Sequence, residues 1–335
     1  MKIIKILTVI MILTIISVFF LSGEASGEPR VLKAVTHLKE NDKFRTLCVA
    51  YAKDVERFSD GQLIIDIIGG KETIGSDQQI FSLRDGVIDI NFDLERVGQF
   101  TPVYVSMVLT NMKPWEEREA GLYDMWRKIY AEEANVYWLG PSTQIQWFCI
   151  ALNKEAKNLD DLAGLKIRTM AANAPAIEAL GAVPIVMPFS DIYQAMERGV
   201  IDGFLMTTED WVKNSWQEVT KYMLNIRFLN GPQTGILVNM DVWESLSEQE
   251  KNWLQAPLIE NEKNYYALAY WNYAGGEYAV MEAGVEFINW SNEEREKAIQ
   301  LARLGIWNAI KEDIYQKHPE YVEYFVKVVK GLSYP

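Results

Sequence analysis

Cysteine and histidine are almost absent from this sequence: among 335 residues there are two of each, Cys48, Cys149, His37 and His318. No His-x-x-x-His or Cys-x-x-Cys spacing can be built from them, so a zinc-type or thiol-redox centre lacks its ligand set. No metal and no other cofactor is expected. Glycine-rich phosphate loops are missing too. There is no Gly-x-Gly-x-x-Gly after a strand, no phosphate-loop lysine and no Gly-x-Ser-x-Gly elbow, which argues against a dehydrogenase, a kinase or a serine hydrolase. Positive charge is scarce, with 33 Lys and Arg against 46 Asp and Glu and a formal charge of −13. A surface this acidic argues against nucleic acid or an anionic lipid face as partner. A bound anion would need positive charge placed locally.

What is present begins with an export signal. Lys2 and Lys5 precede an uncharged run from Ile6 to Leu21, then the small residues Ser22, Gly23, Ala25, Ser26 and Gly27. That order is the one of a secretory signal peptide, with cleavage expected after Ala25 or Gly27 and a periplasmic location for the product. No comparably long apolar run recurs, so the mature chain is expected to be soluble. No cysteine lies near the cut, and a lipid anchor is unsupported. One disulfide is chemically possible in an oxidising compartment. The alternative is favoured: Cys48 lies on the apolar stripe Phe44, Leu47, Cys48, Tyr51, Val55, Phe58 at helical spacing, as a buried unpaired thiol does.

The mature chain alternates strand and helix. An apolar run at 31–36 is followed by Asn41 or Asp42 as a helix cap, a helix to Phe58, and a stop at Ser59-Asp60-Gly61. A strand over 62–68, a helix around 77–84 and a strand over 87–92 complete a βαβαβ unit, which predicts a parallel sheet with helices on both faces. The alternation recurs from Leu165, so two lobes are expected. Ser247 with Glu250 and Ser291 with Glu294 read as capping boxes opening two late helices. The first runs unusually far, with Pro257 and Gly275-Gly276 as expected bends or breaks. A helix that long and aromatic suits one lying across both lobes. The second, over 293–316 with apolar Ile299, Ala302, Leu304, Ile306 and Ile310, is expected to dock on the second lobe.

The most informative stretch is Asp160–Phe204, DDLAGLKIRTMAANAPAIEALGAVPIVMPFSDIYQAMERGVIDGF. It sets Arg168 where a short apolar strand ends, with the small Thr169, Ala171 and Ala172 behind it. Ligands of open α/β sheets collect beyond the carboxyl ends of strands. A planar five-donor cation there suits a carboxylate, although a strand-end arginine is more commonly a surface ion-pair partner. His37 follows the first strand. Ser76 and Asp77 precede a helix, where capping alone would explain them. Phe92, Asp93, Glu95 and Arg96 end another strand. Trp147 and Phe148 lie on a strand, and Trp211 and Trp216 follow one. For these aromatics core packing is the default, and an apolar ligand wall the alternative.

Four stretches carry a family resemblance: SDGQLIIDIIGGKETIGSDQQIFSLRDGVIDINF, LDDLAGLKIRT, ALGAVPIVMPFSDIYQAMERGVIDGF, and VTKYML with ILVNMDVWESLSEQEK. Across nearly the whole mature chain the sequence resembles the extracytoplasmic solute receptors of tripartite ATP-independent periplasmic (TRAP) transporters, dicarboxylate-receptor type. The resemblance implies an α/β clamshell of two lobes, each a mostly parallel sheet flanked by helices, with hinge strands and one long lobe-spanning helix. It implies lobe I at 28–145 plus 234–273, lobe II at 146–233 plus 274–327, and a tail at 328–335. It also implies that Arg168 grips the ligand carboxylate, that an ion-gradient-driven membrane permease receives the ligand, and that the receptor catalyses nothing.

The sequence departs from the family pattern in two places. Met206 stands where an Asn commonly reaches the same carboxylate, with Thr207 or Thr208 as substitute donors. Phe148 stands where many members carry a second pocket arginine. Both changes replace polar groups by apolar ones, so a monocarboxylate with an apolar or aromatic body is expected over a C4-dicarboxylate, with C4-dicarboxylates and 2-oxo acids as the alternative. A sensory partner of a membrane receptor, or an exported enzyme with an acidic pair, are the rival classes. The candidate ligand set is Arg168, His37, Asp77, Phe92, Glu95, Trp147, Phe148, Met206, Thr207, Thr208 and Trp211.

Overall fold

The computed structural model describes residues 28–323 and 325, except 39, 41–44, 94, 111, 142–144, 210 and 233–234. The signal peptide, the cap expected at Asn41 or Asp42 and the 328–335 tail lie outside the described residues.

The first sheet grows from the expected βαβαβ unit. β1 (Arg30–Thr36) leads through α1 (Arg45–Phe58) to β2 (Leu63–Gly69), and α2 (Ser76–Arg84) leads on to β3 (Ile90–Phe92). β1 pairs in parallel with β2 and with β3. A 3₁₀ stretch over Pro102–Leu109, then α3 (Pro114–Glu119) and α4 (Leu122–Ala134), bring the chain to β4 (Val136–Pro141). The chain crosses once to the second sheet as β5 (Ile145–Leu152). There follow β6 (Lys166–Thr169), α5 (Ala174–Ala179), β7 (Val183–Val186), α6 (Ile192–Glu197), β8 (Gly203–Met206), β9 (Tyr222–Leu224) and β10 (Leu229–Pro232). It crosses back as β11 (Gly235–Asn239), which completes the first sheet in the order β2-β1-β3-β11-β4. α7 (Met240–Ser245) and α8 (Glu248–Glu282) follow, then β12 (Glu286–Ile288) and α9 (Asn292–Lys317). The second sheet reads β12-β9-β5-β8-β6-β7, with β10 on β5.

Both sheets are mostly parallel in strand direction, as expected, and each is made mixed by one opposing strand. β11 runs antiparallel to β3 and β4, and β5 runs antiparallel to β8, β9 and β10. The crossings are the reason. A strand arriving from the other sheet enters at the edge where the βαβ strands end, so it must run against them. Parallel pairing is kept within the βαβ units, as for β6 with β7 and β8.

α8 runs unbroken over 35 residues, about 52 Å at 1.5 Å per residue. Its Leu254 and Leu258 sit in the core around Leu32, Val55 and Ile236, while Ala269, Tyr273 and Val280 sit in that around Cys149, Phe204 and Trp211. One helix thus joins both lobes. Neither Pro257 nor the Gly275-Gly276 pair interrupts it. Gly276 is instead a close approach: a Cβ there would meet the backbone carbonyl of Thr208 at 2.7 Å.

The Ser247–Glu250 capping box is complete, whereas the one expected at Ser291 is half formed. Ser291 accepts from the Glu294 amide, but the Glu294 carboxylate accepts from the Leu159 amide at 3.1 Å. α9 packs on α5 and also on the 102–109 stretch, with Leu304 exposed and Gly305 set against Pro175. Both cysteines are buried and form no disulfide, as expected.

Candidate functional site

The register aligns the strand ends at the crossings. In the first sheet β1, β3 and β4 all end on the edge where Pro141 departs and Gly235 arrives. In the second, β6 and β8 end on the edge where β5 begins. Arg168 and Thr169 close β6, Met206 closes β8, and Thr36 leads into His37 beyond β1.

Arg168 is buried, 2 % exposed, and its Nε donates to the Met187 carbonyl at 2.9 Å, just past β7. Its Nη1 meets the Met206 sulfur at 3.1 Å. The guanidinium therefore lies across the ends of three adjacent strands, held in orientation by a backbone acceptor. Thr207 is buried beside Met206, and the Thr169 hydroxyl is buried with no protein partner. A buried hydroxyl next to a strand-end arginine is a second donor that the sequence reading passed over, although its position as the last residue of β6 was visible.

The other lobe contributes a charged cluster. His37 Nδ1 lies 2.9 Å from the Phe92 carbonyl, which can only accept, so Nδ1 donates. The buried Asp93 carboxylate lies 3.9 Å from that nitrogen and 3.5 Å from Arg96 Nη1. Arg96 Nε reaches Asp77 at 3.7 Å, so the exposed Asp77 joins the same cluster. Gly75, rather than Ser76, is the helix cap, without a side-chain bond. Glu95 opens a short 3₁₀ turn, and its side chain lies outside the described residues. Behind the cluster Gln79 donates to the Thr36 and Ile74 carbonyls and accepts from Asn91, which fixes the ends of β1 and β3.

The aromatic wall divides. Side chains alternate along a strand, so Trp147 and Phe148 point to opposite faces of β5. Trp147 packs edge-on against Tyr266, Tyr270 and Tyr273 of α8, and Phe148 lies in the core shared with α9. Trp211 is fully buried against Phe204 at 5.1 Å. The Thr208 hydroxyl donates to the Tyr273 carbonyl at 3.0 Å. Phe92 is fully buried, edge-on to Tyr51, and offers the site only its carbonyl. Trp147, Thr208 and Trp211 thus seat α8. Arg227, which the sequence reading missed, stacks over Tyr273 at 4.5 Å and Trp147 at 5.0 Å, between β9 and β10.

Nothing here resembles a reactive centre. Burial pushes the Cys149 thiol up to about 12, and its sulfur is 2.8 Å from the Tyr273 hydroxyl, so it is no thiolate nucleophile. A cavity lies between α3, α4, the end of β4 and α8, away from Arg168 but sharing Tyr266 with the aromatic cluster around Trp147.

Two α/β lobes joined by two strand crossings and one shared helix, with an arginine buried at the facing edge, define a two-lobed solute-binding protein. The model of the DctP family, "Bacterial extracellular solute-binding protein, family 7", matches residues 35–311, and the chain belongs to that family. It is an extracellular solute-binding protein and not an enzyme. Over 141 residues it is 31% identical to the C4-dicarboxylate-binding periplasmic protein DctP of Rhodobacter capsulatus, covering 41% of each chain. It is 26% identical over 188 residues to a monocarboxylate 2-oxoacid-binding periplasmic protein of Nostoc, covering 52% of this chain and 49% of the other. Among solved structures, a TRAP solute-binding protein of Desulfovibrio salexigens with bound orotic acid superposes with a TM-score of 0.74 at 19% identity, covering 90% of this chain and 99% of that one. The sugar acid binding protein DctPAm of Advenella mimigardefordensis, in complex with galactonate, gives 0.66 at 20%, covering 91% and 99%.

Proposed function

We propose that the protein captures a small organic monocarboxylate with an apolar or aromatic body between its lobes and delivers it to an ion-gradient-driven membrane permease. The observation that carries the reading is the Arg168 guanidinium, buried across the ends of β6, β7 and β8 with a thioether at its flank. Its charge, fixed in a nearly dry edge, suits one carboxylate. The adjoining Met206 sulfur offers no donor for a second polar group, which would be stranded on closure. Thr207 and Thr169 supply hydroxyls on the same edge, and His37, with Phe92, Asp93, Arg96 and Asp77 in its cluster, faces them from the other lobe.

The relatives fit an acid ligand without fixing which one, since those named above bind a C4-dicarboxylate, a 2-oxo acid, orotate and galactonate. Export to the periplasm follows from the N-terminal signal read in the sequence. A thermal-shift screen followed by titration calorimetry tests the class. Phenylacetate, phenylpyruvate and branched 2-oxo acids are expected to raise the melting temperature and bind near micromolar, about −8 kcal/mol. Tight binding of succinate or malate, with none of the hydrophobic acids, would defeat the reading.

A further inference from the structure

We infer that the cavity between α8 and the end of β4 is a second small-molecule site, which takes a monoanion with a ring-sized apolar body. Its walls are drawn from three helices and one strand end, with an apolar floor and a polar end. The body would lie on Leu258, Ile259, Tyr265 and Tyr266 of α8 and on Pro141. The head would meet donors already in place. The Tyr123 hydroxyl and Arg118 Nε both line the cavity, are buried and have no acceptor in the protein. A buried donor without an acceptor is costly, and an anionic oxygen relieves that cost.

Charge points the same way. The lining itself carries two guanidinium groups, Arg118 and Arg127, and one carboxylate, Glu262, while the exposed Asp124 carboxylate meets Arg127 Nη1 from outside it at 3.3 Å. Glu262 is already held by Arg118 Nη2 at 2.8 Å, and Arg127 by the Trp138 and Leu139 carbonyls at 3.0 and 2.9 Å. Glu117 beside them is pushed up to about 8 by burial and by Glu262, so at neutral pH it adds little negative charge. The walls give the site its consequence. Pro141 is the last residue of β4 before the first crossing, and α8 is common to both lobes, so an occupant touches two elements that must adjust when the lobes move.

The test uses benzoate as probe, with benzyl alcohol as its neutral counterpart, in ligand-observed NMR titrations of the full mature protein. The Arg168→Ala variant removes any contribution from the interlobe edge. It is expected to bind benzoate saturably at one site, and benzyl alcohol about tenfold more weakly, as loss of a charge-assisted contact implies. Adding Ile259→Trp at the half-exposed rim should fill the cavity and abolish binding. Arg118→Gln, which spares the apolar floor, should weaken benzoate about tenfold. The inference is overturned if benzoate does not bind Arg168→Ala, or if binding survives Ile259→Trp or is indifferent to Arg118→Gln.

Discussion

A guanidinium whose Nε is committed to a backbone carbonyl cannot swing away to follow a mobile ligand, so Arg168 presents one fixed edge. Loss of that edge should cost roughly 2–5 kcal/mol of ligand binding, because the carboxylate would be buried without its partner. Calorimetry on Arg168→Ala checks this, with circular dichroism confirming that the fold is kept. The proposed reading gives Met206 the selectivity at the same place. Met206→Asn exchanges a thioether for an amide, and should raise affinity for succinate or malate relative to hydrophobic acids in paired titrations.

Glu117 carries a different consequence. Burial first, then Glu262, push its carboxyl from the ordinary 4.5 up to about 8, while a hydrogen bond from Thr110 pulls the other way. Between those pH values the folded chain holds a proton that the unfolded chain has lost. The stability from this group is therefore complete below pH 4.5 and fades as pH rises to about 8. Glu117→Gln should be the more stable protein near pH 8, by about 1–3 kcal/mol, and should show a smaller loss of melting temperature between pH 5 and pH 8.

Gly275 and Gly276 are adjacent in α8 and answer to opposite constraints. A Cβ on Gly275 meets nothing within 4 Å, so Gly275→Ala should stabilise the helix by about 0.5–1 kcal/mol. A Cβ on Gly276 meets Thr208 backbone at 2.7 Å, so Gly276→Ala must push α8 off that segment and should destabilise by about 1–3 kcal/mol. Urea unfolding of the two variants separates them by sign. From sequence the pair reads as a break, since propensity sees only the missing side chains and the packing that requires one of them is non-local. The βαβαβ units were legible for the opposite reason: Val31–Thr36 and Leu63–Ile68 carry their strand character in the residues themselves. Strand direction at the crossings was not legible, because it depends on which edge β5 and β11 enter. The half-formed box at Ser291 has the same origin, with Leu159 taking the Glu294 carboxylate from a distant part of the chain.

Two lobes on one helix and two strand crossings make a hinge, and the ligand site proposed for it was half legible. The lobe II half, Arg168 and Met206, follows from a contiguous motif whose strand ends are local. The lobe I half is assembled from His37, Asp77, Asp93 and Arg96, which only the folded sheet brings together. Trp147, Thr208 and Trp211 could not be sorted from ligand contacts by sequence, because the aromatic face of α8 that absorbs them lies well over fifty residues downstream. Closure of such a hinge on a ligand buries the acid head against Arg168 while the rest meets the opposite edge. The most direct measurement is a crystal structure of the protein with the acid it retains through purification. The account predicts a carboxylate oxygen within about 3 Å of the Arg168 guanidinium, between the lobes, with the apolar body toward Met206. A solute lodged elsewhere, or an Arg168 side chain turned away from it, would contradict the account.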